Sequence, residues 1–166
     1  MKKKKVMKLT HFDKKWKSQM VDVSGKDVTM RLARASGRVL LKPETFKMIK
    51  NKNISKGDVL EVARLAGIMG AKRTSELIPL CHPLKITSVN IDFKLDNKIN
   101  MIEIQSTVKA NDKTGVEMEA LAAVSIAALT IYDMCKSVDR EIEIKNIFLM
   151  EKSGGKSGHF KRRRNS

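Results

Sequence analysis

Aromatic side chains are scarce, with five Phe, one Trp and one Tyr making 4% of 166 residues. So few rings leave little to stack against nucleic-acid bases, and no DNA- or RNA-binding signature accompanies them, so nucleic acid is not the expected partner. Cysteine is limited to Cys81 and Cys135. Two isolated thiols exclude a disulfide framework and suit a reducing compartment, and neither stands in a CxxC or HxxxH spacing, so no zinc or other metal site is expected. Long clean apolar runs are also lacking. The stretch from Met118 to Met134 is interrupted by Glu119, Ser125, Thr130 and Asp133, which reads as too short and too polar for a membrane span. The lysines at positions 2–5 are followed by more charge rather than by an apolar segment, so no signal peptide is expected. A soluble cytoplasmic protein without membrane association follows.

What the chain has in excess is positive charge, 34 Lys and Arg against 18 Asp and Glu for a formal +16. Nine of those charges sit at the ends, on Lys2, Lys3, Lys4, Lys5, Lys8, Lys161, Arg162, Arg163 and Arg164, which leaves +7 on the body. A solvated basic terminus accounts for the ends, and a moderately basic body suits a polyphosphate substrate. The length allows one core and one domain. Residues 1–18 read as a basic N-terminal arm, 19–155 as a single catalytic α+β domain, and 156–166 as a flexible Gly/Lys/Arg-rich tail.

Within the domain the hydrophobic period switches between two and 3.6. Ala33, Ala35, Gly37, Val39 and Leu41 alternate with polar residues as in a strand with one buried face. Pro43 opens a short helix to about Lys50, and Asp58 to Leu77 carries helical spacing until Pro79 stops it. Val89, Ile91, Phe93 and Leu95 turn through Asp96-Asn97-Lys98 into Ile102, Ile104, Ser106 and Val108, a hairpin. Thr114 and Glu117 have the form of a capping box before a long alanine-rich helix over about 115–137, which should lie centrally. A last strand through Ile142, Ile144, Ile147 and Leu149 slips phase near Asn146, as a bulge would make it. The order predicts an α+β fold with helices on one face of a mainly antiparallel sheet.

Several segments carry chemistry. Ser55-Lys56-Gly57-Asp58 stands at a helix start, where free N–H groups and the dipole favour an anion; a plain cap with an exposed lysine is the simpler account of this segment by itself. Ile78-Pro79-Leu80-Cys81-His82-Pro83-Leu84 holds an adjacent Cys-His pair between two prolines, a rigid loop suited to a substrate contact or proton carrier at His82. Glu117-Met118-Glu119 and Asp133-Met134-Cys135-Lys136 stand near opposite ends of one helix. Glu119 and Asp133, 14 residues apart, are separated by about 21 Å of rise and do not share a pocket within one chain. An oligomer would bring one chain's helix end to another's, and an ordinary surface ion pair between Asp133 and Lys136 is the simpler account of those two. Lys152-Ser153-Gly154-Gly155-Lys156-Ser157-Gly158 is P-loop-like but has Met150 where the first Walker glycine belongs, leaving a Gly/Ser/Lys strip able to wrap phosphate.

Taken in order, Leu9-Thr10-His11, Met20-Val21-Asp22-Val23-Ser24 with Lys26, Thr29 and Arg31, Lys56-Gly57-Asp58-Val59, Ala66-Gly67-Ile68, the loop from Ile78 to Leu84, Lys113-Thr114-Gly115-Val116-Glu117-Met118-Glu119-Ala120-Leu121, Ala128-Leu129-Thr130-Ile131-Tyr132-Asp133-Met134-Cys135-Lys136 and the strip from Lys152 to Gly158 resemble the cyclic pyranopterin monophosphate synthase family of molybdenum cofactor biosynthesis, across residues 9–160. The resemblance implies a ferredoxin-like subunit, a homohexamer built as a trimer of dimers with sites at dimer interfaces, and no cofactor. It implies a lyase that converts (8S)-3',8-cyclo-7,8-dihydroguanosine 5'-triphosphate to cyclic pyranopterin monophosphate with release of pyrophosphate. It makes Asp133 the active-site carboxylate, Lys56 and Lys136 the catalytic lysines, and Leu80, Cys81, His82, Met118 and Glu119 substrate-binding positions. The reaction needs proton shuttling and attack of a sugar hydroxyl on phosphorus, for which one lysine of depressed pKa and one kept charged are suited. Lys56 is expected to hold phosphate and Lys136, beside Asp133, to move protons. The rival readings are a basic nucleic-acid-binding protein and a non-catalytic scaffold; the few aromatics weigh against the first, and the presence of Lys56, Asp133 and Lys136 against the second.

Overall fold

The computed structural model describes residues 11, 15–54 and 57–163. Its elements run β1 (Thr29–Leu40), α1 (Pro43–Lys50), α2 (Val59–Lys72), α3 (Thr74–Leu77), β2 (Ile86–Asp96), β3 (Met101–Asp112), α4 (Glu117–Cys135), β4 (Glu143–Ser153) and β5 (Phe160–Lys161). The sheet order is β2-β3-β1-β4-β5, with every neighbouring pair antiparallel. Without β5 this is a β-α-β-β-α-β chain whose first and third strands lie at the centre, the split arrangement expected of a ferredoxin-like subunit.

Period-two burial explains which way the sheet faces. Ala33, Ala35 and Val39 of β1 and Ile102, Ile104, Val108 and Ala110 of β3 are fully buried, while Arg34, Arg38, Glu103 and Gln105, at alternate positions, line a groove on the opposite side with Phe148 and Met150 of β4. Helices α2 and α4 pack on the first face and on each other. Gly67 of α2 makes that contact close, because a Cβ there would lie 2.4 Å from Ile91 Cδ1 and 2.8 Å from the Ala123 carbonyl oxygen.

By length and composition alone α4 would pass for a membrane-crossing helix, more apolar than its interruptions suggest, yet it is the core helix of the fold. Ala120, Ala123, Val124, Ala127, Ala128 and Ile131 of α4 are fully buried, and its apolarity is explained by covering β1, β3, β4 and α2 at once. The capping box fails. Val116 is the N-cap and no side chain caps the helix, while the Glu117 carboxylate is turned 3.6 Å from Lys152 Nζ. The expected helix from Asp58 to Leu77 divides at Arg73, where the Thr74 hydroxyl donates to the carbonyls of Gly70 and Ala71 and competes with backbone continuation.

The bulge lies where the phase slip puts it. Partners of β1 skip from Lys145 to Phe148, and Asn146 takes φ +54°. Part of the segment expected as a tail is ordered against β4: Glu151 and Lys152 pair with Lys161 and Phe160, and Arg162 stacks over Phe148.

Candidate active site

The fold collects the expected residues into two groups, one at each end of α4. At the N-terminal end, the segment after α3 passes through Leu80, Cys81 and His82 before β2, with Cys81 N–H donating to the Ile78 carbonyl. Met118 and Glu119 stand in the first turn of α4, and Glu119 is only 3% exposed. Burial, with the negative charges of Glu117 and Asp112 adding to it, pushes the Glu119 carboxyl up to about 7. Partial burial, with the charge of Glu119 adding to it, raises the Cys81 thiol as well. That thiol is poorly suited to act as a thiolate nucleophile. Hydrogen bonds from Ser24, with the charge of Lys113 adding to them, hold the Asp22 carboxyl below its ordinary value.

At the C-terminal end, Lys136 Nζ lies 2.7 Å from Asp133 Oδ1, with both side chains more than half exposed. The hydrogen bond and charge of Asp133 hold the Lys136 ammonium above its ordinary value. Within one chain Lys136 is thus held in its charged form and is not the amine of depressed pKa that a base role calls for. Lys56, with Ser55, lies outside the described residues. The helix start that follows it is capped by Asp58, whose carboxylate accepts from the amides of Leu60 and Glu61 and pairs with Lys52 at 2.8 Å. Those two amides are therefore already occupied, and this helix start has fewer free donors for an anion than its sequence suggested.

The two groups do not meet within one chain, since about 21 Å of helix rise separates Glu119 from Asp133. Beside the N-terminal group the structure adds a cavity of about 640 Å³, whose lining includes Lys26, Arg31, Lys113, Gly155, Lys156 and Ser157.

A family model described as the MoaC family matches residues 20–155. The chain belongs to the MoaC family. It is 60% identical over 152 residues, 92% of this chain and 96% of the relative, to a cyclic pyranopterin monophosphate synthase of Heliobacterium modesticaldum. Proteins of the same name from Parvibaculum lavamentivorans and Clostridium perfringens are 58% and 59% identical, over 93% and 92% of this chain and 96% and 97% of theirs. The MoaC match thus takes in both ends of α4, the Cys81-His82 loop and most of the cavity lining.

Sequence reasoning assigned no role to Arg31, although the signal was present. Arg31 has the parity of Ala33, Ala35, Gly37 and Val39, so the alternation puts a guanidinium on the core side of β1. The structure keeps it 7% exposed, with Nε donating to the Asp112 carbonyl and NH2 to the Lys113 carbonyl. A buried arginine fixed by two carbonyls in a MoaC chain is a positioned cation rather than a solvated one.

Proposed function

We propose that this chain is a cyclic pyranopterin monophosphate synthase, converting (8S)-3',8-cyclo-7,8-dihydroguanosine 5'-triphosphate to cyclic pyranopterin monophosphate and pyrophosphate. The observation that carries it is 60% identity across 92% of the chain to a relative of that name. The protein works as a soluble cytoplasmic homohexamer, a trimer of dimers with its sites at dimer interfaces. The separation of the two ends of α4 supports that assembly, because a second chain is what brings an Asp133–Lys136 pair to a Cys81-His82-Glu119 group.

Each side chain has a part in such a pocket. Leu80, Cys81, His82, Met118 and Glu119 bind the substrate, and Asp133, Lys56 and Lys136 carry the proton and charge transfers. Closing the cyclic phosphate requires a sugar hydroxyl to attack the α-phosphorus and lose its proton, while the bond to the bridging oxygen breaks and pyrophosphate leaves with the electron pair. Lys136, kept charged by Asp133, enters as an acid, and approach of the second ammonium, Lys56, is what lowers its pKa enough for it to act as a base. Glu119, near 7, is able to give or take a proton at neutral pH.

Incubation of the purified oligomer with the cyclised guanosine triphosphate tests the reading. Pyrophosphate should appear in step with a pterin that fluoresces after oxidation. A folded oligomer that releases neither is not this enzyme.

A further inference from the structure

The first turn of α4 carries Met118 and Glu119, yet no side chain holds the helix start. Val116 is the N-cap and contributes no capping bond, and an uncapped start leaves its first amides to water and frays. Glu119 is nevertheless only 3% exposed. One tie to the sheet is the Glu117–Lys152 pair, 3.6 Å long and partly exposed, which is a weak restraint by itself. A stronger tie comes from inside the core.

Ser106 stands on the core face of β3, in alternation with Ile102, Ile104, Val108 and Ala110, all fully buried. It is itself 1% exposed, and its partners across the sheet are Ala35 of β1 and Ile91 of β2, both buried. Serine gains nothing there by packing, since a buried hydroxyl is unfavourable unless it is hydrogen-bonded. The hydroxyl donates to the carbonyl of Ala120 at 2.8 Å, the residue next to Glu119. Ser106 lies in a strand paired on both sides, and Ala120 is fully buried, out of reach of a replacing water. In a helix the same carbonyl also receives the main-chain amide one turn on, so the serine bond is an added tie to the sheet and no part of the helix itself.

We propose that Ser106 is a positioning residue for the reaction: through the Ala120 carbonyl it pins the first turn of α4 to β3 and so keeps the Glu119 carboxyl in its buried place. The proposal rests on the function inferred above and deepens it, because the proton chemistry assigned to Glu119 depends on that burial. Burial is the largest cause of the Glu119 pKa of about 7. A turn released from β3 lets water reach the carboxyl and returns it toward the ordinary 4.5. Ser106 acts only through the helix turn.

Infrared spectroscopy of the intact oligomer tests this without substrate, by following the protonated-carboxyl band that Glu119→Gln removes. Ser106→Ala stays folded, because alanine fits the space of serine and the Ala120 carbonyl keeps its helical partner. In the wild type the band should titrate at about 7, and in Ser106→Ala its midpoint should fall by about one pH unit or more. Ser36→Ala is the control. Ser36 is equally buried on β1 but donates to Glu103 at 3.2 Å on the opposite side of the sheet, and its loss should leave the midpoint where it was. In turnover Ser106→Ala should lower kcat about tenfold or more with little change in KM, and the limb of the pH profile set by Glu119 should move to lower pH. An unmoved midpoint in Ser106→Ala would overturn the proposal. So would equal shifts in the two serine variants, which would mean a general loosening of the core. Absence of pyrophosphate release by the wild type would instead sink the function, and the infrared series is read independently of it.

Discussion

Gly67 of α2 and Ala123 of α4 are in backbone contact, close enough that a Cβ on the glycine would stand 2.8 Å from the alanine carbonyl oxygen. A carbonyl in a helix cannot swing aside as a side chain can. Gly67→Ala should therefore destabilise the fold by about 1–3 kcal/mol, the usual range for overpacking a close contact. Gly25→Ala, where nothing lies within 4 Å of the new Cβ, is the control and should be nearly neutral in urea unfolding.

Glu119 should make stability fall as pH rises. Its folded pKa of about 7 lies above the ordinary 4.5, so the folded state binds the proton more tightly than the unfolded state. The stabilisation is complete below about 4.5 and is lost as pH passes through about 7. Glu119→Gln removes this titration. Thermal melts of the variant should lose that downward slope between pH 5 and 8, and a variant with the wild-type slope would place the titrating group elsewhere.

Asp139 ties two connections together. Its carboxylate is 1% exposed and accepts from the Lys42 amide at 2.9 Å and the Glu141 amide at 3.1 Å. Asp139→Ala strands both donors and should cost about 2–3 kcal/mol. Asp139→Asn keeps an oxygen acceptor and should recover part of that loss in the same denaturation assay.

Under the proposed function Lys136, beside Asp133, moves protons while Lys56 holds phosphate. Asp133→Asn removes the partner that raises the Lys136 pKa, and the lysine's titration, followed by NMR of its ε-methylene, should move down. Lys136→Arg keeps the charge but cannot act as a base near neutral pH, so kcat should drop by about a hundredfold or more. Near-wild-type turnover by that variant as a verified oligomer would remove Lys136 from proton transfer.

The sheet and the hairpin were legible because their signals are local. Alternation at Ala33–Val39 and Ile102–Val108 fixes a buried face without knowledge of anything else in the chain, and the phase slip at Asn146 marks a bulge by the same logic. The α4 start was not legible, because Thr114 and Glu117 satisfy a capping pattern whose competitor, Lys152, arrives from another strand. At Asp58 the sequence admitted both an anion site and a plain cap, with the cap the simpler account, and the carboxylate's use of the Leu60 and Glu61 amides agrees with the cap. Of the candidate site, the separation of Glu119 from Asp133 and Lys136 could be read from their spacing on one helix, but that the Cys81-His82 loop lies with Glu119 could not, because the loop reaches α4 only through the fold.

That rod-like separation has a genetic consequence. Under the assembly proposed above, each pocket takes its Glu119 from one chain and its Lys136 from the other. A chain crippled at Glu119 and a chain crippled at Lys136 would each be inert alone, but a mixed pair would hold one pocket with both defects and one with neither. Equal co-expression should then restore about a quarter of normal turnover, since half the pairs are mixed and half their pockets are whole. Two null alleles of this gene would complement each other inside a single protein.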